Sequence, residues 1–211
     1  FDPRYGSKTM AVKQLSAFRN YNGMLQNGRF YTWAQVSDSR NIAPAGWHVA
    51  SKSEWITLID YVDNNQGPAD STGKALASKI GWDSSTNNYA PGNIPESNNY
   101  SGFSAIPLGG VSIPYFGKDT PGSSARFFTS TADSSTTAWG YGITNDYGFL
   151  SVYNYDKTSQ FSVRCVRDSG NSNMYAYDYE GNFYTAVTIG TQTWLVQNLG
   201  CNHYRNGDLI I

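Results

Sequence analysis

Charged side chains are scarce in this chain and show no excess of one sign. Asp, Glu, Lys and Arg together make up 15% of the 211 residues, and the formal net charge is -1. Binding to a nucleic-acid backbone or an anionic membrane requires clustered Lys and Arg, and a membrane-spanning helix requires about 20 successive apolar residues. The sequence has neither pattern. We therefore expect no nucleic-acid partner and no membrane span within this chain.

Sequence patterns of common catalytic and metal centres are also missing. The chain has two histidines and two cysteines, and none of them lies in a Cys-x-x-Cys or His-x-x-x-His pattern. No Gly-x-Ser-x-Gly is found either. His48 precedes a predicted core helix, which favours a structural role, and His203 has no set of partners. The sequence thus predicts a protein that is not an enzyme, with no metal and no cofactor.

Aromatic and small polar residues take the place of charge. The chain contains 16 Tyr, 10 Phe, 6 Trp and 21 Gly. Rigid rings combined with small adaptable polar groups are typical of antibody-like binding surfaces. An all-β surface domain, whose strands favour aromatic residues, explains the same composition. Composition alone leaves both interpretations open.

The clearest helix signal begins at Ser51. Ser51 and Glu54 have the spacing of a capping box, in which each side chain accepts a hydrogen bond from the other residue's backbone amide. A single apolar stripe follows at i, i+3, i+4 and i+7: Trp55, Leu58, Ile59 and Val62. Because such a stripe needs a sheet to cover it, five side chains are expected to form the core: Trp47, Trp55, Leu58, Phe103 and Val163.

A shorter helix is predicted over residues 73–80, with Leu76 and Ile80 facing inward and Gly81 at its C-terminus. Residues 8–20 carry a weaker helical pattern. Residues 83–101 are rich in Asn, Ser, Pro and Gly and predict a long loop. Long loops in compact domains are commonly functional or mobile.

Strand signals dominate the rest of the chain. Residues 139–155 read as a hairpin that turns near residues 145–148, and apolar and polar residues alternate over residues 161–165. Residues 183–189 and 193–199 flank Gly190 and Thr191, a two-residue loop that suits a type II′ hairpin. The predicted class is α+β, with two helices followed by a mostly antiparallel sheet with long loops.

Several segments together resemble the Fibrobacter succinogenes major paralogous domain, a family of bacterial surface proteins. The matching stretches are residues 28–33 (Gly-Arg-Phe-Tyr-Thr-Trp), 44–49 (Pro-Ala-Gly-Trp-His-Val), 81–82 (Gly-Trp), 101–107 (Ser-Gly-Phe-Ser-Ala-Ile-Pro), 127–131 (Phe-Phe-Thr-Ser-Thr) and 161–168 (Phe-Ser-Val-Arg-Cys-Val-Arg-Asp). Their order and spacing carry the resemblance. It implies a C-type-lectin-like fold, similar in pattern to the formylglycine-generating enzyme superfamily.

The end of the chain resembles the opening block of the same family. Residues 178–184 and 188–199 carry this pattern, yet they follow the closing block. The resemblance therefore implies a main domain over residues 1–175 that lacks its usual opening strands. Residues 176–211 then form an opening-block hairpin that completes the same domain by circular permutation, is swapped into a neighbour, or begins a tandem repeat.

The cysteines depart from the family pattern. The family commonly has a cysteine before Pro-x-Gly-Trp-His, where this chain has Ala43, so Cys165 lacks its expected partner. The other cysteine is Cys201. Two interpretations stay open: a pair of buried free thiols, or a Cys165–Cys201 disulfide of the kind that an oxidising compartment permits.

The resemblance also indicates where a ligand would bind. Residues 139–156 resemble the ligand-facing loops and strands of C-type-lectin-like folds. They also resemble the segment that carries the mutable positions in the variable proteins of diversity-generating retroelements. The candidate ligand-binding residues are Trp139, Tyr141, Asn145, Tyr147, Tyr153, Asn154 and Tyr155. Ordinary cross-strand pairing explains these tyrosines equally well. If they do not bind, the Asn-rich loop from Asn87 to Asn99 is the alternative site.

We therefore expect a secreted or cell-surface protein that binds an unidentified glycan or protein without catalysis, as an adhesin-like or receptor-binding domain of a bacterial surface or phage protein. The alternatives are a structural repeat of a large surface protein or a retroelement-type variable protein. An enzyme of the formylglycine-generating type is the weakest of them. True calcium-dependent lectins carry a Glu-Pro-Asn loop followed by Trp-Asn-Asp, and this chain has neither motif.

Overall fold

The computed structural model describes residues 28–65, 70–112 and 117–211. Its helices are α1 (Trp33–Val36), α2 (Lys52–Asn65) and α3 (Thr72–Leu76), with a 3-10 turn at Pro95–Ser97. Its strands are β1 (Trp47–Val49), β2 (Gly110–Ser112), β3 (Gly117–Asp119), β4 (Ser124–Ala132), β5 (Thr137–Thr144), β6 (Ser151–Asp156), β7 (Cys165–Arg167), β8 (Tyr175–Tyr177), β9 (Phe183–Ile189) and β10 (Gln192–Leu195).

Over the described residues these strands form three sheets. The largest has the order β1-β7-β10-β9-β8, the second has the order β4-β5-β6, and β2 pairs with β3. Every pair of neighbouring strands is antiparallel. The prediction of a mixed helix and sheet protein with mostly antiparallel strands is confirmed. In the described part of the chain, no helix has the length and apolar character needed to cross a membrane.

Helix α2 begins where the capping box predicts. The Ser51 amide donates to Glu54 Oε2 at 2.7 Å, and the Glu54 amide donates to Ser51 Oγ at 3.3 Å. These contacts satisfy amides that the first helical turn leaves without partners. Trp55, Leu58 and Val62 are buried on one face of the helix. The local pattern therefore sets both the start of the helix and the face it buries.

Helix α3 is shorter than the predicted helix over residues 73–80. It ends at Leu76, because Ala77 adopts an extended conformation and pairs with Ala105. Leu76 is buried as expected, but Ile80 is 72% exposed, so its predicted inward orientation is wrong. The helix also ends too early for Gly81 to cap it. A tertiary contact therefore overrides the local helical pattern here. The weaker helix predicted over residues 8–20 lies outside the described residues.

Trp55 occupies the centre of the core between α2 and the sheets. Its ring contacts those of Phe103, Phe127, Tyr141 and Trp194, with centroid distances of 5.5, 5.3, 5.0 and 5.3 Å. The five predicted core residues are all confirmed as buried: Trp47, Trp55, Leu58, Phe103 and Val163. The core is thus built largely from aromatic rings contributed by elements far apart in the sequence.

The C-terminal hairpin lies against the closing strand β7 of the same chain. β9 and β10 pair so that Ile189 faces Gln192, which leaves the predicted two-residue loop, and Gly190 has φ +61°. Trp194 pairs with Val166 of β7, and β1 pairs with the other side of β7. The first and the last strand of the described chain therefore lie in one sheet.

A buried guanidinium joins this hairpin to the core. Arg164 is fully buried, and its donors contact Asn198 Oδ1 at 2.7 Å, the Phe103 carbonyl at 2.7 Å and the Leu195 carbonyl at 3.0 Å. A buried charge is tolerated only when its hydrogen bonds are made. Arg164 thereby connects β7, β10 and the segment around Phe103.

Both cysteines are buried free thiols, so the alternative of a Cys165–Cys201 disulfide is not the one adopted. The Cys201 thiol lies 3.3 Å from the carbonyl of Ile42 and 3.4 Å from the hydroxyl of Tyr31. Burial raises the pKa of Cys201 to about 12, and burial also raises the pKa of Cys165. Since the thiolate is the reactive form, neither sulfur is activated for chemistry.

Candidate functional site

The aromatic residues predicted to form one binding patch lie on two opposite faces of the β4-β5-β6 sheet. Trp139 pairs with Asn154, Gly140 with Tyr153, and Ala138 with Tyr155. Paired residues share a face of a sheet, and successive residues alternate between faces. Trp139 and Asn154 are therefore on one side, and Tyr153 and Tyr155 are on the other. The predicted single patch is not assembled.

Two of the predicted contact tyrosines belong to the core. Tyr141 is 3% exposed and stacks on Trp55 with an interplanar angle of 17°. Tyr155 is also 3% exposed, and its hydroxyl accepts a hydrogen bond from Arg126 Nη1 at 2.7 Å. Their expected exposure is wrong because both faces of this sheet are covered: Tyr141 packs into the cluster around Trp55, and Tyr155, on the opposite face, packs against Phe161.

The remaining residues on the Trp139 face make structural contacts. Lys52 Nζ, in the first turn of α2, lies 3.2 Å from the centroid of the half-buried Trp139 ring, a cation–π contact. Asn154 Nδ2 donates to Asp133 Oδ2 at 3.1 Å. These two side chains are engaged with the fold. On the opposite face, Tyr153 is 44% exposed and contacts Tyr155 edge-on.

Asn145 and Tyr147 lie on a different surface, where the β5–β6 turn meets the Asn-rich loop. The Asn145 carbonyl accepts a hydrogen bond from the Gly92 amide at 2.8 Å. The Gly148 carbonyl accepts one from Gly73, and a side chain at Gly148 would collide with the Asp70 carbonyl and Tyr89. The turn and the loop therefore pack as one unit, which we call the loop face (residues 83–101 and 145–150).

The loop face contains a depression of about 380 Å³. Its lining residues are Ser71, Lys74, Asn88, Tyr89, Asn93, Ile94, Ser97 and Tyr100. Tyr89 and Tyr100 are each 50% exposed, so their rings are accessible. We call this depression the Lys74 pocket. A concave site that combines rings with a few polar groups is typical of small-ligand binding.

Lys74 itself is a buried cation, with 6% of its surface exposed. Its ammonium group donates to the Asn93 carbonyl, and it forms no ion pair with any described residue. Burial lowers the pKa of the Lys74 amine. Sequence reasoning identified the adjoining loop as an alternative site but missed this lysine. The available signal was a lone Lys within the small and apolar segment Gly-Lys-Ala-Leu-Ala.

The loop around the Lys74 pocket is held by its own asparagines. Asn98 is buried, and its Nδ2 donates to the carbonyls of Ser78 and Pro91, both at 3.0 Å. Asn93 Nδ2 donates to the Ser85 carbonyl at 3.2 Å. Ile94 has φ +50° and is 64% exposed, a strained conformation for a β-branched residue. Such strain is commonly stored at functional sites.

A second depression, of about 160 Å³, lies near the C-terminus and is a weaker candidate. It is lined in part by Tyr177, Asp178, His203 and Arg205. Two of its polar side chains already have partners within the fold. Arg205 donates to three backbone carbonyls, and His203 Nδ1 lies 2.6 Å from Glu180 Oε1. Over the described ranges no cluster of three or more His, Cys, Asp or Glu side chains could hold a metal ion.

The model of the Fibrobacter succinogenes major domain matches residues 4–167 of this chain. The chain belongs to the Fibrobacter succinogenes major domain family. The family match covers β1 to β7 and the whole loop face, and it ends at Arg167, so β8, β9 and β10 lie beyond it. No curated protein and no solved structure matches the chain at a significant level. The family match identifies no ligand. The candidate site is therefore identified from its geometry.

Proposed function

We propose that this Fibrobacter major domain is a non-catalytic ligand-binding domain of a secreted or cell-surface protein, bacterial or phage, and that its ligand binds at the Lys74 pocket. The observation that carries the proposal is the pocket itself. It joins two accessible tyrosine rings, a buried ammonium group and several amide and hydroxyl groups. Exposed rings lose little conformational entropy on binding, and small polar groups adapt their hydrogen bonds to the ligand.

A sugar fits these groups better than an apolar ligand does. Tyrosine rings offer flat faces for the apolar side of a pyranose ring, while Asn88 and Ser97 supply polar groups for its hydroxyls. The pocket is open and shallow rather than an enclosed apolar cavity. We therefore propose an oligosaccharide as the ligand.

The proposed fold is C-type-lectin-like and circularly permuted. Two facts support it: residues 176–211 resemble the opening block of the family, and their hairpin pairs with β7 in the same chain. The resemblance makes residues 139–156 the ligand-facing region of such a fold, and the turn within it packs against the long loop over residues 83–101 through the hydrogen bond from Gly92 to Asn145. Burial of Tyr141 and Tyr155 argues against the retroelement-type alternative, since variation at these positions would alter the core.

An array experiment followed by matched tyrosine variants tests the site. The full chain is screened on glycan and protein arrays, and affinity for the best glycan is measured for Tyr89→Ser and Tyr100→Ser. Each is expected to lose at least tenfold, because a central aromatic contact is worth about 2 kcal/mol. Tyr175→Ser is the control, since its side chain is 47% exposed on the edge strand β8 and lines neither depression. Full affinity in both pocket variants would overturn the proposed site.

A structural repeat in a large surface protein is the second candidate. The opening-block pattern that follows the closing block favours it, since tandem copies would produce this order. Under this candidate the purified chain binds no array ligand. Variation of Tyr89 or Tyr100 then changes nothing measurable beyond stability.

A further inference from the structure

The Lys74 ammonium group is the feature of the pocket that the proposed function leaves unexplained. An ammonium group carries three donors, and the contact to the Asn93 carbonyl uses one of them. Only 6% of the surface of the residue is exposed. Burying a charge without a counter-charge is costly. A methionine or leucine would fill the same volume without that cost.

The pocket has a positive group without a negative one. None of its lining residues is Asp or Glu. Asp70 and Glu96 adjoin the lining residues Ser71 and Ser97 in sequence, but both are exposed and neither lines the pocket. The depression therefore offers one positive charge and no negative one. This arrangement suits a ligand with a single negative charge.

We propose that the Lys74 pocket selects a sugar that carries a carboxylate, such as a uronic acid residue in an oligosaccharide. The inference rests on the proposed function and specifies its ligand class. In a uronic acid the carboxylate is attached directly to the pyranose ring. One residue can therefore place its ring against Tyr89 or Tyr100 while its carboxylate meets the ammonium group. The ligand would supply the counter-charge that the fold withholds from Lys74.

The test compares acidic ligands with their uncharged esters. Trisaccharides of glucuronate, galacturonate and mannuronate are each titrated calorimetrically against the full chain, together with their methyl esters. For at least one acid, binding is expected to be about tenfold or more tighter than for its ester, as a hydrogen bond to a charged group implies. Lys74→Met should lower the affinity for the acid to that for the ester, and Lys74→Arg should keep the preference. Lys79→Met, at an exposed lysine, is the matched control.

The outcomes separate this inference from the proposed function. Equal binding of acid and ester, or a preference that survives Lys74→Met, overturns the carboxylate inference while Tyr89→Ser still tests the site. Absence of binding to every acid and ester also overturns it. Tighter binding of a sulfated trisaccharide than of every uronate would assign the ammonium to a different anion. If Lys74→Met does not fold, salt titration of the unaltered chain decides, since only the acid should bind more weakly as salt rises.

Discussion

The packing above each position of β5 and β6, rather than strand alternation, decides which aromatic side chains of this sheet reach solvent. Tyr141 and Tyr155 lie on opposite faces and are each 3% exposed, whereas Tyr153, on the same face as Tyr155, is 44% exposed and Tyr147, in the turn, is 59% exposed. All four are the same residue type in one stretch of sequence. Ring count alone therefore overstates the exposed binding surface. The burial of each ring depends on the sheet face and on what covers that face.

For Trp55, in contrast, local sequence is sufficient to predict burial. It is the first apolar residue after the capping box, and four aromatic rings surround it. Trp55→Ala is expected to lower the free energy of unfolding by about 3–5 kcal/mol, because it removes a large buried ring and leaves a cavity. Urea denaturation measures this value.

Ile56 is the matched control for the Trp55 variant. It is the next residue in the same helix and is 44% exposed. Ile56→Ala is expected to change the free energy of unfolding by less than about 1 kcal/mol. Equal losses in the two variants would show that helix propensity, rather than core packing, accounts for the effect.

At the scale of elements, His48 joins strand β1 to helix α2 and to the segment after β7. Its Nε2 lies 2.7 Å from Glu54 Oε1, and its Nδ1 lies 2.6 Å from Asp168 Oδ1. The hydrogen bond with Glu54 raises the pKa of His48 to about 9; the contact with Asp168 adds to this effect and burial opposes it. Glu54 thus both caps α2 and holds the imidazolium.

The His48 contacts predict a pH-dependent contribution to stability. The folded pKa of about 9 exceeds the unfolded value of about 6.5. The contribution is therefore fully present below pH 6.5 and is lost as pH rises through 9. The imidazole is 39% exposed, so solvent screening reduces its size. The stability difference between the unaltered chain and His48→Gln should shrink from pH 6.5 to 9, as followed by urea unfolding.

Glu54→Gln provides the companion measurement for this element contact. Glutamine also completes a capping box, so this variant keeps the helix cap and removes the negative charge beside His48. Its pH profile should be flatter than that of the unaltered chain but less flat than that of His48→Gln, because Asp168 still contacts His48. A His48→Gln difference that stays constant from pH 6.5 to 9 would contradict an ion-pairing role.

For the whole molecule, closure of the five-stranded sheet depends on the last 36 residues (176 to 211). β10 supplies Trp194, which is fully buried against Trp55 and Phe103. Asn198 Oδ1 accepts a hydrogen bond from the buried guanidinium of Arg164. Without this segment β7 would lose its partner on one side, and the buried Arg164 would lose its acceptors on Leu195 and Asn198. The hairpin is thus part of the core rather than an appendage to it.

Deletion of residues 176–211 is expected to abolish cooperative unfolding. The reason is that the deletion exposes the aromatic rings around Trp55 and leaves the buried Arg164 guanidinium with unpaired donors. Differential scanning calorimetry of the truncated and full chains measures this effect. Trp194→Ala should give a graded loss of about 3–5 kcal/mol, and Thr191→Ala, in the exposed hairpin loop, is its control. A truncated chain that melts as sharply and as hot as the full chain would instead mark the segment as the start of another repeat.

Local sequence by itself determined the start of α2, its buried stripe including Trp55, and the two-residue loop at Gly190. Capping, periodicity and turn chemistry act over a few residues, so they can be read without knowledge of distant partners. The same reasoning failed at Ile80, where pairing of Ala77 with Ala105 ended the helix early. There a contact between residues far apart in sequence outweighed the local pattern.

Tertiary structure alone decided the candidate site. Tyr89 and Tyr100 come from the Asn-rich loop, Lys74 from α3, and the adjacent Tyr147 from the β5–β6 turn. No local pattern brings these residues together, because their proximity depends on backbone hydrogen bonds such as that between Gly73 and Gly148. The sequence alone could identify the rings and amides as the chemistry of a binding surface. Which of them share a pocket depends on how loops and sheet faces pack, and that packing is set by contacts across the whole chain.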